Sequence, residues 1–292
     1  MLHDDFGLIS IIMAAYNAEK TIEQAVTSVL NQTYPNFELL VVNDCSKDGT
    51  VELVKDIAAR DSRVRLISNT KNCGVSYTRK HGLEEAKGSW IAILDCDDAW
   101  APEKLEKQID LQKKVNADLL FTGSAFMDSD GRSIDWYLHA PSEVTYHQLL
   151  KQNILSNSSA LVRKELYTEH YAIGDGMHED FAIWLSILKE GRKAYGVDEP
   201  LLIYRLSKTS KSGNKLKSAK MNWNTYRYIG LNTIQSVYYE GWYMIRNVIK
   251  YTNLGRIFGG VTRNNYTVYI VCFSAPTLYE CNQWRAACKT KF

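Results

Sequence analysis

A doubly wound, mostly parallel α/β sheet flanked by helices, followed by a basic helical extension, is the architecture this sequence predicts. Three observations lead there. Short β-branched apolar runs alternate with helical patterns through the first hundred residues, polar residues crowd the ends of those runs, and charge divides sharply between the two ends of the chain. A chain of 292 residues allows one substantial core and an appendage. Residues 1–205 are therefore expected as the main domain, with halves at 1–100 and 101–205, and residues 206–292 as the extension.

The first apolar run covers residues 8–14 (LISIIMA) and the second residues 37–42 (FELLVV), short and branched as strands buried on both faces are. Between them, residues 18–32 set Ile22, Ala25, Val26, Val29 and Leu30 at helical spacing, with Asn17 as the expected N-cap. Residues 50–60 read as a helix, 64–68 as a strand, 76–87 as a helix, and 90–94 (WIAIL) as a strand running into Asp95, Cys96, Asp97 and Asp98. Such alternation implies right-handed crossovers and a ligand site beyond the carboxyl ends of the strands. Past Pro102 come a helix to about Asn116, a strand at 118–126, a turn at 128–132, a short helix at 145–151, a strand at 158–163, and a helix at 180–190 stopped by Gly191. Regular alternation ends near Tyr204. Residues 207–220, rich in Lys and Ser, read as a loop, and residues 221–250 as an aromatic, basic helical stretch.

The formal charge of +2 conceals a division: residues 201–292 hold 14 Lys or Arg against Glu240 and Glu280, a net of +12, leaving −10 for residues 1–200. The acidic front and basic back are expected to meet different partners. A nucleic-acid binder is disfavoured, because the front half would repel the polymer and no recognition motif is present. Cys45, Cys73, Cys96, Cys272, Cys281 and Cys288 form no CxxC pair, and no histidines stand at zinc spacing, which argues for reduced thiols and against structural zinc. The opening MLHDD is acidic where a secretory signal needs positive charge, and no run reaches about 18 apolar residues, so a cytoplasmic location is expected.

The most chemically suggestive feature is the carboxylate cluster after residues 90–94. In an extended segment Asp95 and Asp97 project to the same side. Two such carboxylates suit a hard divalent ion that keeps several waters and takes diphosphate oxygens as its remaining ligands. Taken alone, the pattern reads first as a turn in which Asp97 or Asp98 caps the helix near Pro102.

Its neighbours shift that balance. Four segments in fixed order, residues 11–17 (IIMAAYN), 41–50 (VVNDCSKDGT), 72–79 (NCGVSYTR) and the Asp95–Asp97 pair, resemble the family 2 glycosyltransferases of the GT-A fold. The resemblance implies a nucleotide-binding half at 1–100 and an acceptor half at 101–205. It implies a UDP-sugar site formed by Ala15, Tyr16, Asn17, Glu19, Asp44, Lys71, Asn72, Arg79, Asp95 and Cys96. Asp44 would accept the imide N–H of the base and Arg79 would face the diphosphate. Asp97, with Asp95, would ligate Mn²⁺ or Mg²⁺. Asn43 and Cys45 stand where the family more often has Asp and Gly, and Lys80-His81 where it often has Asn; Cys45 lacks the freedom of glycine at positive φ.

Residues 174–184 (GDGMHEDFAIW) resemble the family's Glu-Asp motif, which implies Asp180 as the base that deprotonates an acceptor hydroxyl during inverting displacement. Glu179 would contact the acceptor or orient the site, and Trp184 would offer an apolar face to a sugar. The plainer alternatives are a helix N-terminus favoured by its charges and a tryptophan in the core. Residues 153–159 (NILSNSS) resemble the part of the family that faces donor sugar and acceptor. Residues 226–250 carry Tyr, Trp and Ile among basic residues and suit an anionic membrane surface, a solvated face, or packing on the main domain. Together these imply a metal-assisted, inverting transferase moving a sugar from UDP to a glycan or lipid-linked acceptor in lipopolysaccharide, capsule or glycolipid assembly, peripheral at the cytoplasmic face of the membrane. The rivals are a nucleotidyltransferase, which wants a glycine-rich basic loop where residues 14–19 have none, and a non-catalytic nucleotide- or glycan-binding module. A dinucleotide enzyme is disfavoured by the lack of GxGxxG after the first strand.

Overall fold

The computed structural model describes residues 6–174, 176–206 and 215–257. Its first part is β1 (Ile9–Ala15), α1 (Ile22–Leu30), β2 (Phe37–Asn43), α2 (Thr50–Ala58), β3 (Val64–Ser68), α3 (Val75–Glu85) and β4 (Trp90–Ile93). Then follow β5 (Ala99–Trp100), α4 (Lys104–Val115), β6 (Leu119–Met127), β7 (Ser133–Leu138), β8 (Glu143–Val144), α5 (Tyr146–Lys151), a 3-10 turn (Asn157–Ser159), β9 (Leu161–Arg163) and α6 (Lys164–Glu169). The chain continues through α7 (Glu179–Lys189), β10 (Ala194–Arg205), α8 (Lys215–Tyr228) and α9 (Thr233–Ile257).

The strands form one sheet in the order β3-β2-β1-β4-β9-β6-β10-β5, with β7 beside β6 and β8 beside β10. From β3 to β4 every pairing is parallel, and β6 and β10 are parallel as well. β9 is the joint between these blocks, antiparallel to β4 on one side and to β6 on the other.

Both faces of the parallel block are covered, which explains why its strands read as continuous apolar runs. Along β1 the side chains alternate: Ile9, Ile11 and Met13 share one core with Val26 of α1, Val54 of α2 and Leu105 of α4, while Ile12 belongs to a second core with Leu83 of α3 and Phe181 and Leu185 of α7. α3 lies close because of Gly82, where a Cβ would come 2.7 Å from Ile12 Cγ2 and 3.1 Å from Val42 Cγ2. That approach sets Arg79, one turn earlier, near the strand ends.

Several expectations need correction. Asn17 is not the N-cap of α1, which starts at Ile22 after Thr21; Asn17 sits at φ 50°, in the left-handed region. The reason is that the loop is fastened across to the next one: the amides of Asn17, Ala18 and Glu19 donate to Ser46, Thr50 and Asp48 side chains at 3.0, 2.8 and 3.1 Å. The helix expected over 221–250 is two helices, with α8 beginning before Lys220 and a turn at Gly230, whose φ is 86°. α8 packs on the main domain, one of the alternatives left open for this region. Tyr226 is fully buried beside Phe181, its hydroxyl donating to the Leu150 carbonyl at 2.8 Å, and the compact unit runs from Met1 to Arg246. The long β10 was not foreseen as a strand. The segments at 207–214 and 266–275 lie outside the described residues, and among the described residues no helix is long and apolar enough to cross a membrane.

Candidate functional site

The ends of the neighbouring strands β1, β2 and β4 are brought together with α3 and α7, which Arg79 joins through Asp95 and Glu179. On the donor side, Tyr16 is 49% exposed beyond β1. Asn17 Oδ1 accepts from the Lys47 amide at 2.8 Å, and Glu19 accepts from the Gly49 amide at 2.9 Å, so the first two motifs clamp one another. Asp44 is placed more deeply than a base-reading residue need be. Its buried carboxylate accepts from Asn69 Nδ2 and the amides of Cys73 and Gly74 at 2.8–2.9 Å. A carboxylate has about four acceptor positions, so one is left for a ligand. Asn72 donates to the Asp44 carbonyl at 3.1 Å, while Lys71 is exposed. Cys45 does adopt the positive φ that glycine favours, 61°, with its thiol toward the Asn69 carbonyl at 3.3 Å. His81 Nδ1 meets Asn69 Oδ1 at 2.7 Å, so that ring nitrogen carries the proton.

Arg79 is held differently from what its motif suggests. Instead of standing open to a diphosphate, it is only 7% exposed, and its two terminal nitrogens donate to Asp95 at 2.5 Å and Glu179 at 2.6 Å. Asn157, with its amide oxygen turned toward the guanidinium, accepts at 3.1 and 3.3 Å. Burial opposes the charge of Arg79, but Asp95 and Glu179 outweigh it and hold the group protonated.

After β4, the carboxylates crowd. Burial, then the neighbouring Asp95, pushes Asp97 above the usual carboxylate range, and the same two causes with Asp97 push the fully enclosed Asp98 well above it. Cys96 lies in the same loop, its thiol raised to about 12 by burial and then by Asp97. Neither Asp97 nor Asp98 caps a helix; α4 starts after Glu103. Asp98 instead accepts the Arg205 amide at 2.9 Å, and Arg205 Nε donates to the Asp97 carbonyl at 2.8 Å. Arg205, at the end of β10, also reaches the Asp128 and Ser129 carbonyls and Gln24. Its one signal in the sequence is a lone basic residue at the close of an apolar run.

The acceptor side is carried by the start of α7 and by residues 153–158. Asp180 is partly exposed in the first turn of α7, and Asn153 Nδ2 approaches its Oδ2 at 3.5 Å. Five residues on, Ser158 Oγ accepts the Asp95 amide at 3.2 Å, so this segment runs across the site from Asp180 to Asp95. It is held from behind by Trp100 Nε1 and Gln108 Nε2, which donate to the Ser158 and Ser159 carbonyls at 2.7 and 3.0 Å. Glu179 is buried on Arg79 and does not face an acceptor; burial raises it above its usual range against the pull of Arg79. Trp184 is wholly buried beside Tyr167, 5.8 Å between ring centroids, so it is core and cannot touch a sugar.

For a metal, the site offers Asp95 and Asp97. Among the described residues no three His, Cys, Asp or Glu close around one point. The pair still fits a hard divalent ion, since such an ion binds through one or two carboxylates and completes its shell with water and phosphate oxygens. Burial and then the like charge of Asp95 raise Asp97, and a bound cation would favour its charged form.

Comparison with known proteins gives this site a lineage. Residues 10–175 match the model of glycosyl transferase family 2. TuaG of Bacillus subtilis (strain 168), a glycosyltransferase whose name ties it to teichuronic acid biosynthesis, is 38% identical over 76% of this chain and 88% of its own. The Escherichia coli protein WfgD, a UDP-Glc:alpha-D-GlcNAc-diphosphoundecaprenol beta-1,3-glucosyltransferase, is 35% identical over 85% and 96% of the two chains. In fold, the chain matches S. aureus TarS solved with UDP-GlcNAc, at a TM-score of 0.64 and 19% identity over 86% of this chain and 75% of that one. It also matches the mannosyltransferase PcManGT of Pyrobaculum calidifontis solved with GDP-Man and Mn²⁺, at 0.63 and 15% over 99% and 81%. With a family match spanning the donor motifs and relatives this similar over most of their length, the chain belongs to glycosyltransferase family 2, an enzyme family built on the GT-A fold.

Proposed function

We propose that this enzyme transfers a sugar from a UDP-sugar to a lipid-linked saccharide during assembly of a cell-surface glycan, with inversion at the anomeric carbon. The observation that carries the reading is the bridge made by Arg79 between Asp95 and Glu179, neighbours of Asp97 and Asp180. It joins a donor-side carboxylate pair to an acceptor-side carboxylate within one site. The names of the relatives, one using UDP-Glc and a diphosphoundecaprenol-linked acceptor, support the substrate class.

In this reading the nucleoside lies over Ala15, Tyr16 and Asn17, with the remaining acceptor position of Asp44 for the base. Lys71 and Asn72 border the diphosphate. Asp95 and Asp97 would hold Mn²⁺ or Mg²⁺, which when bound would offset the charge that develops on the leaving diphosphate. Asp180 takes the proton of the acceptor hydroxyl as its oxygen attacks the face opposite the diphosphate. Arg79 keeps Asp95 and the start of α7 in register, and Arg205 keeps the Asp97–Asp98 turn aimed at the site.

The test is a panel of nucleotide sugars assayed for nucleotide release with a diphospho-lipid saccharide acceptor, in Mn²⁺, Mg²⁺ or EDTA. Acceptor-dependent UDP release that EDTA abolishes is expected; transfer that is undiminished in EDTA would sink the metal assignment, and release from another nucleotide sugar alone would sink the donor.

A further inference from the structure

α9 packs Tyr239 against the core beside Ser236 and Glu240, which are 0% and 9% exposed, and neither Glu240 oxygen has a hydrogen-bond partner. The opposite side carries Ile234, Val237, Tyr238, Trp242 and Ile245, which are 81, 58, 53, 37 and 51% exposed. Those positions follow i, i+3, i+4, i+8 and i+11, a single stripe along about three turns. An ordinary surface helix buries its apolar stripe and leaves its carboxylates in water, because apolar area gains about 25 cal/mol per Å² when removed from water. Here an apolar stripe is left in solvent, which marks a surface that meets something apolar.

The charges select the partner. From residue 206 to the end of α9 the only acidic residue is Glu240, and it is buried, while Lys217, Lys220 and Arg227 are exposed on α8. Lys151 stands at the rim of the stripe with its ammonium 5.6 Å from the Trp242 ring centre. A second copy brought face to face would set this basic set against itself. An anionic bilayer neutralises it, accepts the aliphatic side chains, and accommodates Tyr238 and Trp242 at headgroup level.

We infer that the outward stripe of α9, centred on Val237, Tyr238 and Trp242, inserts into the interface of an anionic membrane. This goes beyond the transfer reaction and does not depend on it. The helix lies in the membrane plane, and the apolar stripe and the surrounding cations act together, as one signal alone binds weakly.

The test is co-sedimentation of the full chain, without substrates, with vesicles of phosphatidylcholine containing about a third phosphatidylglycerol and with pure phosphatidylcholine vesicles. The chain should partition onto the anionic vesicles, and less so as salt rises. The triple variant Ile234→Ser, Val237→Ser, Trp242→Ser should lose about tenfold or more of that partitioning, while keeping its melting temperature and its UDP affinity. The single Ile234→Ser, at the most exposed position, should give a smaller loss in the same direction. Equal partitioning of wild type and triple variant would overturn the inference. So would a wild-type dimer, absent in the triple variant, with no vesicle binding by either; the stripe would then be a contact between copies. Vesicle binding with no transfer activity would leave this inference standing and count against the proposed reaction instead.

Discussion

The two sides of the site are assembled by different means. The donor side is a succession of strand ends, each followed by a short loop whose polar side chains fasten the next: Asn17 to Ser46 and Lys47, Glu19 to Gly49, Asp44 to Cys73 and Gly74. The acceptor side is gathered from distant segments, a 3-10 turn, the start of α7 and the end of β10, and is tied to the donor side by two arginines. Arg79 reaches Glu179 one hundred residues away, and Arg205 reaches Asp97 across 108. A local scaffold and a long-range tie should respond differently to damage.

The largest effect is expected at Arg79. Removing it in Arg79→Ala leaves Glu179 as a buried charge without its partner, which costs about 3–5 kcal/mol. Urea unfolding should show that loss, and Arg79→Met combined with Glu179→Gln should recover much of it, since the two sites are coupled. If Arg79→Ala costs less than 1 kcal/mol, the arginine is not the tie described. Next, Arg205→Ala removes a side chain that fixes the Asp97–Asp98 turn. A rise of about tenfold in the Mn²⁺ concentration needed for half-maximal UDP binding is expected, about 1.4 kcal/mol; a fall in melting temperature with unchanged metal dependence would reduce Arg205 to a structural role.

Glu240 tests how α9 packs on the domain. Burial lifts its pKa from the ordinary 4.5 to about 7, so the folded chain holds a proton that the unfolded chain releases. Its contribution to stability is whole below about pH 4.5 and is lost as pH rises through about 7. Glu240→Gln should therefore gain melting temperature over wild type from pH 5 to pH 8, and a constant difference would refute the shift. The smallest effect is at Cys45, where Cys45→Gly relieves a left-handed φ of 61° and should stabilise by up to about 1 kcal/mol in the same urea assay.

The contrast also explains what could be read beforehand. β1 to β4 and their helices were legible because strands covered on both faces must be continuously apolar, and the motifs at their ends are contiguous in sequence. The positions of Tyr16, Asp44 and Asp97 follow from that. The environment of Arg79 was not legible, because its partner Glu179 belongs to a helix that only the folded chain brings near. Arg205 was missed for the same reason. β7, β8 and β10 escaped because short or irregular strands on the far side of an antiparallel joint carry no clean alternation, and β10 itself shifts register twice against β6. The turn at Gly230 was hidden within an unbroken helical pattern.

The division of labour between Asp97 and Asp180 is the centre of the account. UDP affinity in Mn²⁺ and single-turnover transfer should be measured side by side for Asp97→Ala and Asp180→Asn. Asp97→Ala should lose the metal-dependent part of UDP binding. Asp180→Asn should bind UDP as the wild type does while its transfer rate falls by about 10²–10⁴-fold, the usual contribution of a general base. Transfer by Asp180→Asn within a few-fold of wild type would contradict the account.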